Sequence, residues 1–539
     1  MTAVPSTDHD GPDAPEQPDT SSSSWSRPAR AVILGAALVC AACGLVYELA
    51  LIALGSYLIG DTVVQASIVV SVMVFAMGIG SLLAKPLQRY PAVSFAAVEA
   101  LLALVGGYSV LLLYNAFAVT NIYTPVMIVL AVMIGMLIGA EIPLLMTLLQ
   151  RIRAQDAGSA VADMFAADYL GALAGGLAFP FLLLPTLGLV EGTIATAGLN
   201  LVAGTVVVLW LFKRSLTKRA WIGIGTLVST VAIALVALLW QAESIEVDAR
   251  QQLFRDPIAH AERSEYQEIV LTERHRISGV DDLRMYLNGD LQFASPDEYR
   301  YHESLVHPAM SGSRERVLIL GGGDGLGLRE VLRYPDVAEV TLVELDPAVL
   351  DLAQSHDGLR KLSDDAFTDA RVRPVADDAF AWVREQLDAG AERYDVVIVD
   401  MPDPDSTATS KLYSLEFYGM VHDMVAEDGR MAVQAGSPFF APRSFASIQE
   451  TVAAAGFGLT PYMVSVPSFG DWGFVLADPA GATPELRLPP DAPDLRYLSP
   501  DVLEAASVIP PDKVVTDAEV STLLDPVILD YIRQEWQTF

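Results

Sequence analysis

The chain has 539 residues, 52% of them hydrophobic, and a formal net charge of −32; its mean hydropathy is +0.39. The length predicts several domains, and the hydropathy is high for a protein that meets only water. The acidity excludes nucleic acid as a partner, because nucleic-acid binders present basic faces to the phosphates, and it suits a small cationic substrate.

Residues 1–30 are rich in Ser, Pro, Asp and Thr and read as a disordered tail. Over residues 31–241 long apolar segments dominate, each close to the ~20 residues that a bilayer span needs. Seven are predicted, near 31–54, 63–84, 92–114, 122–149, 169–187, 189–212 and 221–240. Basic residues gather in alternate loops: Arg27 and Arg30, Lys85 and Arg89, Arg151 and Arg153, then Lys213, Arg214, Lys218 and Arg219. This pattern places the N-terminus in the cytoplasm and makes the chain a multi-pass protein of the cell membrane, with the lipid bilayer as a partner. Seven spans then put residue 242 onward outside. A re-entrant 169–187 segment, broken by Pro180 and Pro185, would return it to the inside. Five acids lie at or near membrane depth: Glu48, Glu99, Glu141, Asp163 and Asp168. Such groups are costly in hydrocarbon and serve either as hydrogen-bonded links between helices or as a polar path. Cys40 and Cys43, one helical turn apart in the first span, read as packing residues.

The composition changes at Gln241. Residues 242–310 alternate apolar and polar side chains over Gln267–Leu271, Leu283–Leu287 and Leu291–Phe293, and Asn288-Gly289 between the last two is a strong hairpin signal. A small antiparallel sheet is expected here. Over residues 311–480 strands and helices alternate, which predicts an α/β fold: a doubly wound, Rossmann-like sheet of the methyltransferase type with an antiparallel edge. A Pro-rich, then partly helical extension over 481–539 completes the chain.

The chemistry centres on Val317–Gly327. An apolar strand ends in Gly321-Gly322-Gly323-Asp324-Gly325, a helix-compatible run follows, and a second strand ends in Glu344. Glycines let the backbone approach a nucleoside, and an acid ~20 residues on takes the ribose hydroxyls. Leu326 breaks the dinucleotide fingerprint, and no Lys-Ser/Thr pair makes a P-loop. An acid inside the turn points to a ligand that is cationic rather than a phosphate. Acids follow four successive strands: Asp324, Glu344, Asp377 with Asp378, and Asp400 with Asp403. Such sheets bind ligands beyond the carboxyl ends of their strands.

Several motifs occur in order: Tyr266–Ile269, Asn288–Phe293, Asp297–Glu303, His307-Pro308, the glycine turn, Glu344–Asp346, Asp377–Phe380 and Asp400–Pro404. Together they resemble the polyamine aminopropyltransferases, the spermidine synthase family, over residues 260–480; the apolar half resembles that of the multi-pass members. The resemblance implies decarboxylated S-adenosylmethionine as co-substrate and no prosthetic group. The donor, or its product methylthioadenosine, would contact Gln267, Asp324, Glu344, Asp378, Ala379 and Thr407. Asp400 would be the general base. The acceptor polyamine would meet His302, Tyr301, Gln292, Asp324, Asp400, Met401, Pro402 and Asp403. No metal is implied. A homodimer or homotetramer is an open expectation. The sequence departs from the family at Asp405-Ser406-Thr407, where Gly-Pro-Ala is usual, and at Phe469, where a tyrosine would touch the acceptor. An S-adenosylmethionine-dependent methyltransferase, or a polyamine-binding transporter or sensor with a non-catalytic domain, are the alternatives. Against the first, Asp324 would face the carboxylate of the ordinary donor.

Overall fold

The computed structural model describes residues 26–59, 62–117, 122–152, 157–213, 216–254, 256–274 and 282–536. The expected tail lies outside them up to residue 25, and Ser26–Arg30 are helical. The chain divides into two compact units, Met1–Leu253 and Phe254–Phe539.

The first unit is helical: α1 (Ser26–Ile59), α2 (Thr62–Leu87), α3 (Pro91–Asn115), α4 (Tyr123–Ile152), α5 (Ala157–Ala178), α6 (Leu184–Thr205) and α7 (Lys218–Leu253). Among the described residues, six helical stretches are long and apolar enough to cross a membrane. One of them, Val161–Leu211, runs for 51 residues, well over the ~20 of a single span. It breaks at Gly188, with φ 70 and ψ −172, a conformation open to glycine for want of a Cβ. Two buried clusters mark the ends of the bundle. One gathers Ile33, Ala84, Phe95, Leu148, Met164, Val207 and Ile224. The other gathers Leu51, Val69, Leu111, Met127, Phe179, Val190 and Leu235. Each of the seven helical segments, followed along its length, passes from one cluster to the other. The 169–187 segment therefore runs from one cluster to the other and α6 returns. Glycines permit the close approach: a Cβ on Gly171 would sit 2.1 Å from the Leu38 carbonyl oxygen, and one on Gly139 2.1 Å from that of Met77.

Helix α7 runs 12 residues past Gln241, so the boundary expected at 241/242 is corrected to 253/254. The composition shift marks the end of the apolar part rather than of the helix. Ala242–Leu253 contains neither Gly nor Pro, and nothing in it stops the helix.

In the second unit β1 (Ile258–Arg263), β2 (Glu268–Arg274), β3 (Asp282–Leu287) and β4 (Asp290–Ala294) form a four-stranded antiparallel sheet in sequence order. Asn288 (φ 52) and Gly289 (φ 95) are both left-handed, the turn that Asn-Gly favours because its twist matches that of the strands. The main sheet contains β5 (Arg316–Gly321), β6 (Glu339–Glu344), β7 (Val372–Ala376), β8 (Tyr394–Asp400), β9 (Val425–Gln434), β10 (Gly458–Val466) and β11 (Gly470–Asp478). Its order is β10-β11-β9-β8-β5-β6-β7. Strands β9 through β7 are parallel, and β10 and β11 make an antiparallel edge. Val317–Leu320 and Val396–Val399 are fully buried, as in a parallel sheet covered on both faces. The covering helices are α8 (Glu298–Val306), α9 (Leu326–Leu332), α10 (Pro347–Ser355), α11 (Asp357–Leu362), α12 (Ala379–Asp388), α13 (Thr407–Ser410), α14 (Leu415–Met424), α15 (Pro442–Ala454), α16 (Pro500–Ala506) and α17 (Val527–Trp536). Buried Glu303 of α8 ties down the C-terminal extension, accepting from the N–H groups of Arg496, Tyr497 and Leu498 at 2.8, 2.9 and 3.0 Å.

Candidate active site

The order β8-β5-β6-β7 sets four acidic strand ends side by side: Asp400, Asp324, Glu344 and the Asp377-Asp378 pair. Gly321 and Asp400 are in register, and a Cβ on Gly321 (φ 84) would lie 2.1 Å from the Asp400 carbonyl oxygen. Only glycine fits there. The next residues turn, and the Gly323 N–H donates to Glu344 Oε2 at 3.1 Å. Glu344 also accepts from the Asp346 N–H at 3.1 Å. Burial nevertheless pushes its carboxyl up to about 7. Asp324 Oδ1 accepts from the Leu326 N–H at 2.9 Å, which fixes the turn at the start of α9.

Asp400 is the focus. The Tyr301 hydroxyl, from α8, donates to its Oδ1 at 2.6 Å. Burial, aided by the charge of Asp324, lifts Asp400 to about 6, while His302 and the Tyr301 hydroxyl oppose the rise. His302 is buried and holds Glu298 Oε2 through Nδ1 at 3.0 Å. Burial disfavours its imidazolium, but Glu298, Asp324 and Asp400 prevail and raise its pKa. Glu298 is in turn paired with Arg329 at 2.9 Å.

Asp403 lies on the loop after β8. Burial carries it to about 7, with Asp405 and Asp290 adding to the rise. Asp290, at the start of β4, reaches about 6 by burial and the charge of Asp405. Asp405, the departure from the family pattern, therefore adds negative charge at this end of the site. Met401 is buried and Pro402 exposed; their carbonyls accept from the Tyr413 hydroxyl at 3.1 and 3.0 Å. Gln292 donates to the Asp290 carbonyl at 3.1 Å. Phe469 packs edge-on to Tyr301, with centroids 5.9 Å apart, so this wall is apolar.

The donor-side residues are less uniformly free. Asp378 caps α12 through the Ala381 N–H at 3.0 Å and pairs with Lys411 at 2.6 Å. Its carboxyl stays below the usual range despite burial, because Lys411 and the helix amides hold it ionised. Ala379 opens α12 and is buried, and Thr407 is the exposed first residue of α13. Gln267 sits in a turn organised by Ser264, whose Oγ accepts from the Gln267 N–H at 3.0 Å and donates to Asp346 Oδ2 at 2.6 Å.

Sequence reasoning missed Gln434, Tyr413, Glu298, Arg329, Asp346 and Lys411 as partners. Gln434 Nε2 donates to the Met401 carbonyl at 2.5 Å and lies 3.4 Å from Asp403 Oδ1. Its signal was topological: β9 neighbours β8.

The comparisons with known proteins follow the same lines. Residues 298–483 match the family model described as the spermine/spermidine synthase domain. The polyamine aminopropyltransferase 1 of Streptomyces coelicolor is 55% identical over 95% of this chain and 96% of its own. The chain belongs to the polyamine aminopropyltransferase family. The Mycobacterium tuberculosis polyamine aminopropyltransferase is 47% identical over 94% of this chain and 97% of its own. A solved spermidine synthase in complex with the transition-state analogue AdoDATO is 24% identical, covers 52% of this chain and 89% of its own, and has a TM-score of 0.43. The chain is an aminopropyltransferase, and both polyamine relatives match it through the helical unit as well as the α/β unit.

Two expectations follow for the aminopropyltransferase. Tyr301→Phe removes a hydrogen bond that favours the Asp400 carboxylate, so Asp400 holds its proton to higher pH. The acidic limb of the kcat/KM profile, set near the Asp400 value of about 6, moves upward in the variant. An unmoved limb would separate Tyr301 from the titration. In Asp403 the folded pKa stands above the unfolded one, so the folded state binds the extra proton and loses stability as pH rises through that window. Asp403→Asn therefore raises the Tm of the ligand-free protein more at about pH 8 than at about pH 5, read by thermal unfolding.

Proposed function

We propose that the protein transfers an aminopropyl group from decarboxylated S-adenosylmethionine to an amine such as putrescine, giving spermidine and methylthioadenosine, and that its helical unit spans the cell membrane. The donor is a sulfonium with an ammonium tail and the acceptor a polycation, so carboxylates attract both. The acceptor nitrogen attacks the carbon beside the sulfonium sulfur. The new C–N bond forms as the C–S bond breaks, and the bonding pair neutralises the sulfur. A neutral nitrogen is required, and Asp400 takes the proton it sheds. Asp324 holds the aminopropyl ammonium, Glu344 and Gln267 the ribose side, and Asp378 with Ala379 the adenine. Asp403, His302 and Gln292 line the acceptor end. Alignment of nitrogen, carbon and sulfur supplies much of the remaining rate.

The observation that carries this reading is the part-buried Tyr301–Asp400 pair at 2.6 Å, whose carboxyl also feels the charge of Asp324. It gives a carboxylate whose proton affinity lies near neutrality, next to an acid suited to a cationic donor. In a methyltransferase Asp324 would repel the donor's carboxylate. The test is incubation of the purified full chain with either donor and a panel of amines, with products read by mass spectrometry. Methylthioadenosine and an aminopropylated amine are expected; a methylated product with S-adenosylhomocysteine would replace this reading.

Spanning is supported by large apolar side chains on the bundle's outside, among them Phe75, Phe181, Trp210, Ile233 and Trp240, all more than 60% exposed. Lipid covers such a surface at no cost in hydrophobic free energy. Basic loops at one end and seven crossings put the C-terminus outside. A phosphatase fused after Phe539 is expected to be active in cells. A fluorescent fusion with silent phosphatase would place that end in the cytoplasm instead.

A further inference from the structure

Three helices of the first unit bring a thiol and two carboxylates together at mid-bundle. Cys40 of α1, Glu99 of α3 and Glu141 of α4 each offer a ligand atom within 4.8 Å of the others. All three are buried, at 1%, 1% and 4% exposure. Glu141 Oε1 lacks a hydrogen-bond partner, and the polar groups that face the Glu99 carboxylate are the Cys40 thiol and the Asn200 side-chain amide. Asn200 of α6 is fully buried beside Glu99, donates through Nδ2 to the Glu99 carbonyl at 3.4 Å, and leaves its Oδ1 unpartnered as well. Arg30, ten residues before Cys40 on α1, is paired with Asp163.

We propose that Cys40, Glu99 and Glu141 bind a divalent transition-metal ion of the zinc class, with Asn200 supporting the site. Two carboxylates buried without a cation are expensive in an apolar bundle; one dication offsets both, and the Cys40 thiol gives up its proton to water on binding, which leaves the loaded site with one negative charge. Ligand atoms this close can draw onto a single ion at about 2.0–2.3 Å through small side-chain rotations. The donor set selects among cations. Sulfur is a weak acceptor for an ammonium but a strong ligand for zinc-class metals. The helices are also close here: a Cβ on Gly204 would lie 2.7 Å from Glu99 Cβ, so α6 packs directly on the glutamate. The second thiol is otherwise engaged, since Cys43 Sγ contacts the Thr196 carbonyl at 3.7 Å. Bound metal would clamp α1, α3 and α4. This assigns Cys40 a role beyond the packing read from its spacing.

The test uses the full-length protein in detergent, free of any histidine tag, titrated with Co²⁺ as probe. Cys40 and Cys43 are the two cysteines of the chain, so a sulfur-to-cobalt charge-transfer band reports one of them directly. The expected result is saturable uptake of one ion per chain with that band, removed by competing Zn²⁺. The band vanishes in Cys40→Ser and persists in Cys43→Ser. Glu99→Gln and Glu141→Gln weaken uptake, and Asn200→Ala weakens it by about 10–100-fold, as for an outer-shell partner. Absence of the band in the folded parent chain overturns the proposal, as does a band that survives Cys40→Ser. An infrared carbonyl stretch from both glutamates, unmoved by Co²⁺, would also overturn it and show that the pair carries protons in place of a metal. The parent spectrum decides even where a variant does not fold.

Discussion

Asp400→Asn is expected to lower aminopropyl transfer by roughly 10²–10⁴-fold, the usual worth of a positioned general base, while donor binding stays near that of the parent. Asparagine keeps the size of the side chain and an oxygen for the Tyr301 hydroxyl, which donates at 2.6 Å in the parent. It keeps the crowding against the glycine turn, where a Cβ on Gly322 would lie 3.1 Å from Asp400 Oδ2. What it cannot do is accept a proton near neutrality. The measurement is single-turnover release of methylthioadenosine beside donor binding by calorimetry. Near-parent turnover would remove Asp400 from the role of base.

Asp324→Asn tests donor selection. The variant retains an oxygen for the Leu326 N–H, which Asp324 Oδ1 accepts at 2.9 Å, so the turn into α9 is kept and the charge alone is lost. Decarboxylated S-adenosylmethionine is expected to bind more weakly by about 2–5 kcal/mol, the cost of removing one partner of a buried charge pair. Methylthioadenosine lacks the aminopropyl ammonium and should bind almost as before. Equal losses for the two ligands would show that Asp324 shapes the turn without reading the donor. The variant should also lower the pKa of Asp400, because the negative charge of Asp324 helps to raise it and a neutral asparagine does not repel the second carboxylate.

Most of the α/β unit was legible because its signals are local. Apolar runs bounded by glycine and charge gave strands β5 to β8, and Asn288-Gly289 gave the β3–β4 turn through its left-handed pair of residues. The C-terminal extension was less so. The sequence reads a helical part from Asp517 to Trp536, but residues 517–526 carry no helix and α17 begins at Val527, while the earlier α16 (Pro500–Ala506) was not foreseen. The anchor of that extension is Glu303, which meets backbone amides 193 to 195 residues away. No local pattern encodes such a contact. Asp378 shows the same limit in another way. Its place after β7 was evident, but its bond to Lys411 depends on how the α12 and α13 regions pack.

The sequence by itself determined which strand ends carry acids. In a parallel sheet every strand points the same way, so residues that follow successive strands share one edge whatever their spacing. It also determined where the apolar segments lie, since hydrophobic length is a property of consecutive residues. The tertiary structure decided what those residues face. The strand order set Asp400 beside Asp324 rather than beside Asp378, and α8 carried the Tyr301 hydroxyl across 99 residues to Asp400. Helix packing brought Cys40, Glu99 and Glu141 to one point from three helices. Each of these depends on side-chain direction and close packing between elements distant in the chain, which propensity and periodicity within one element do not contain.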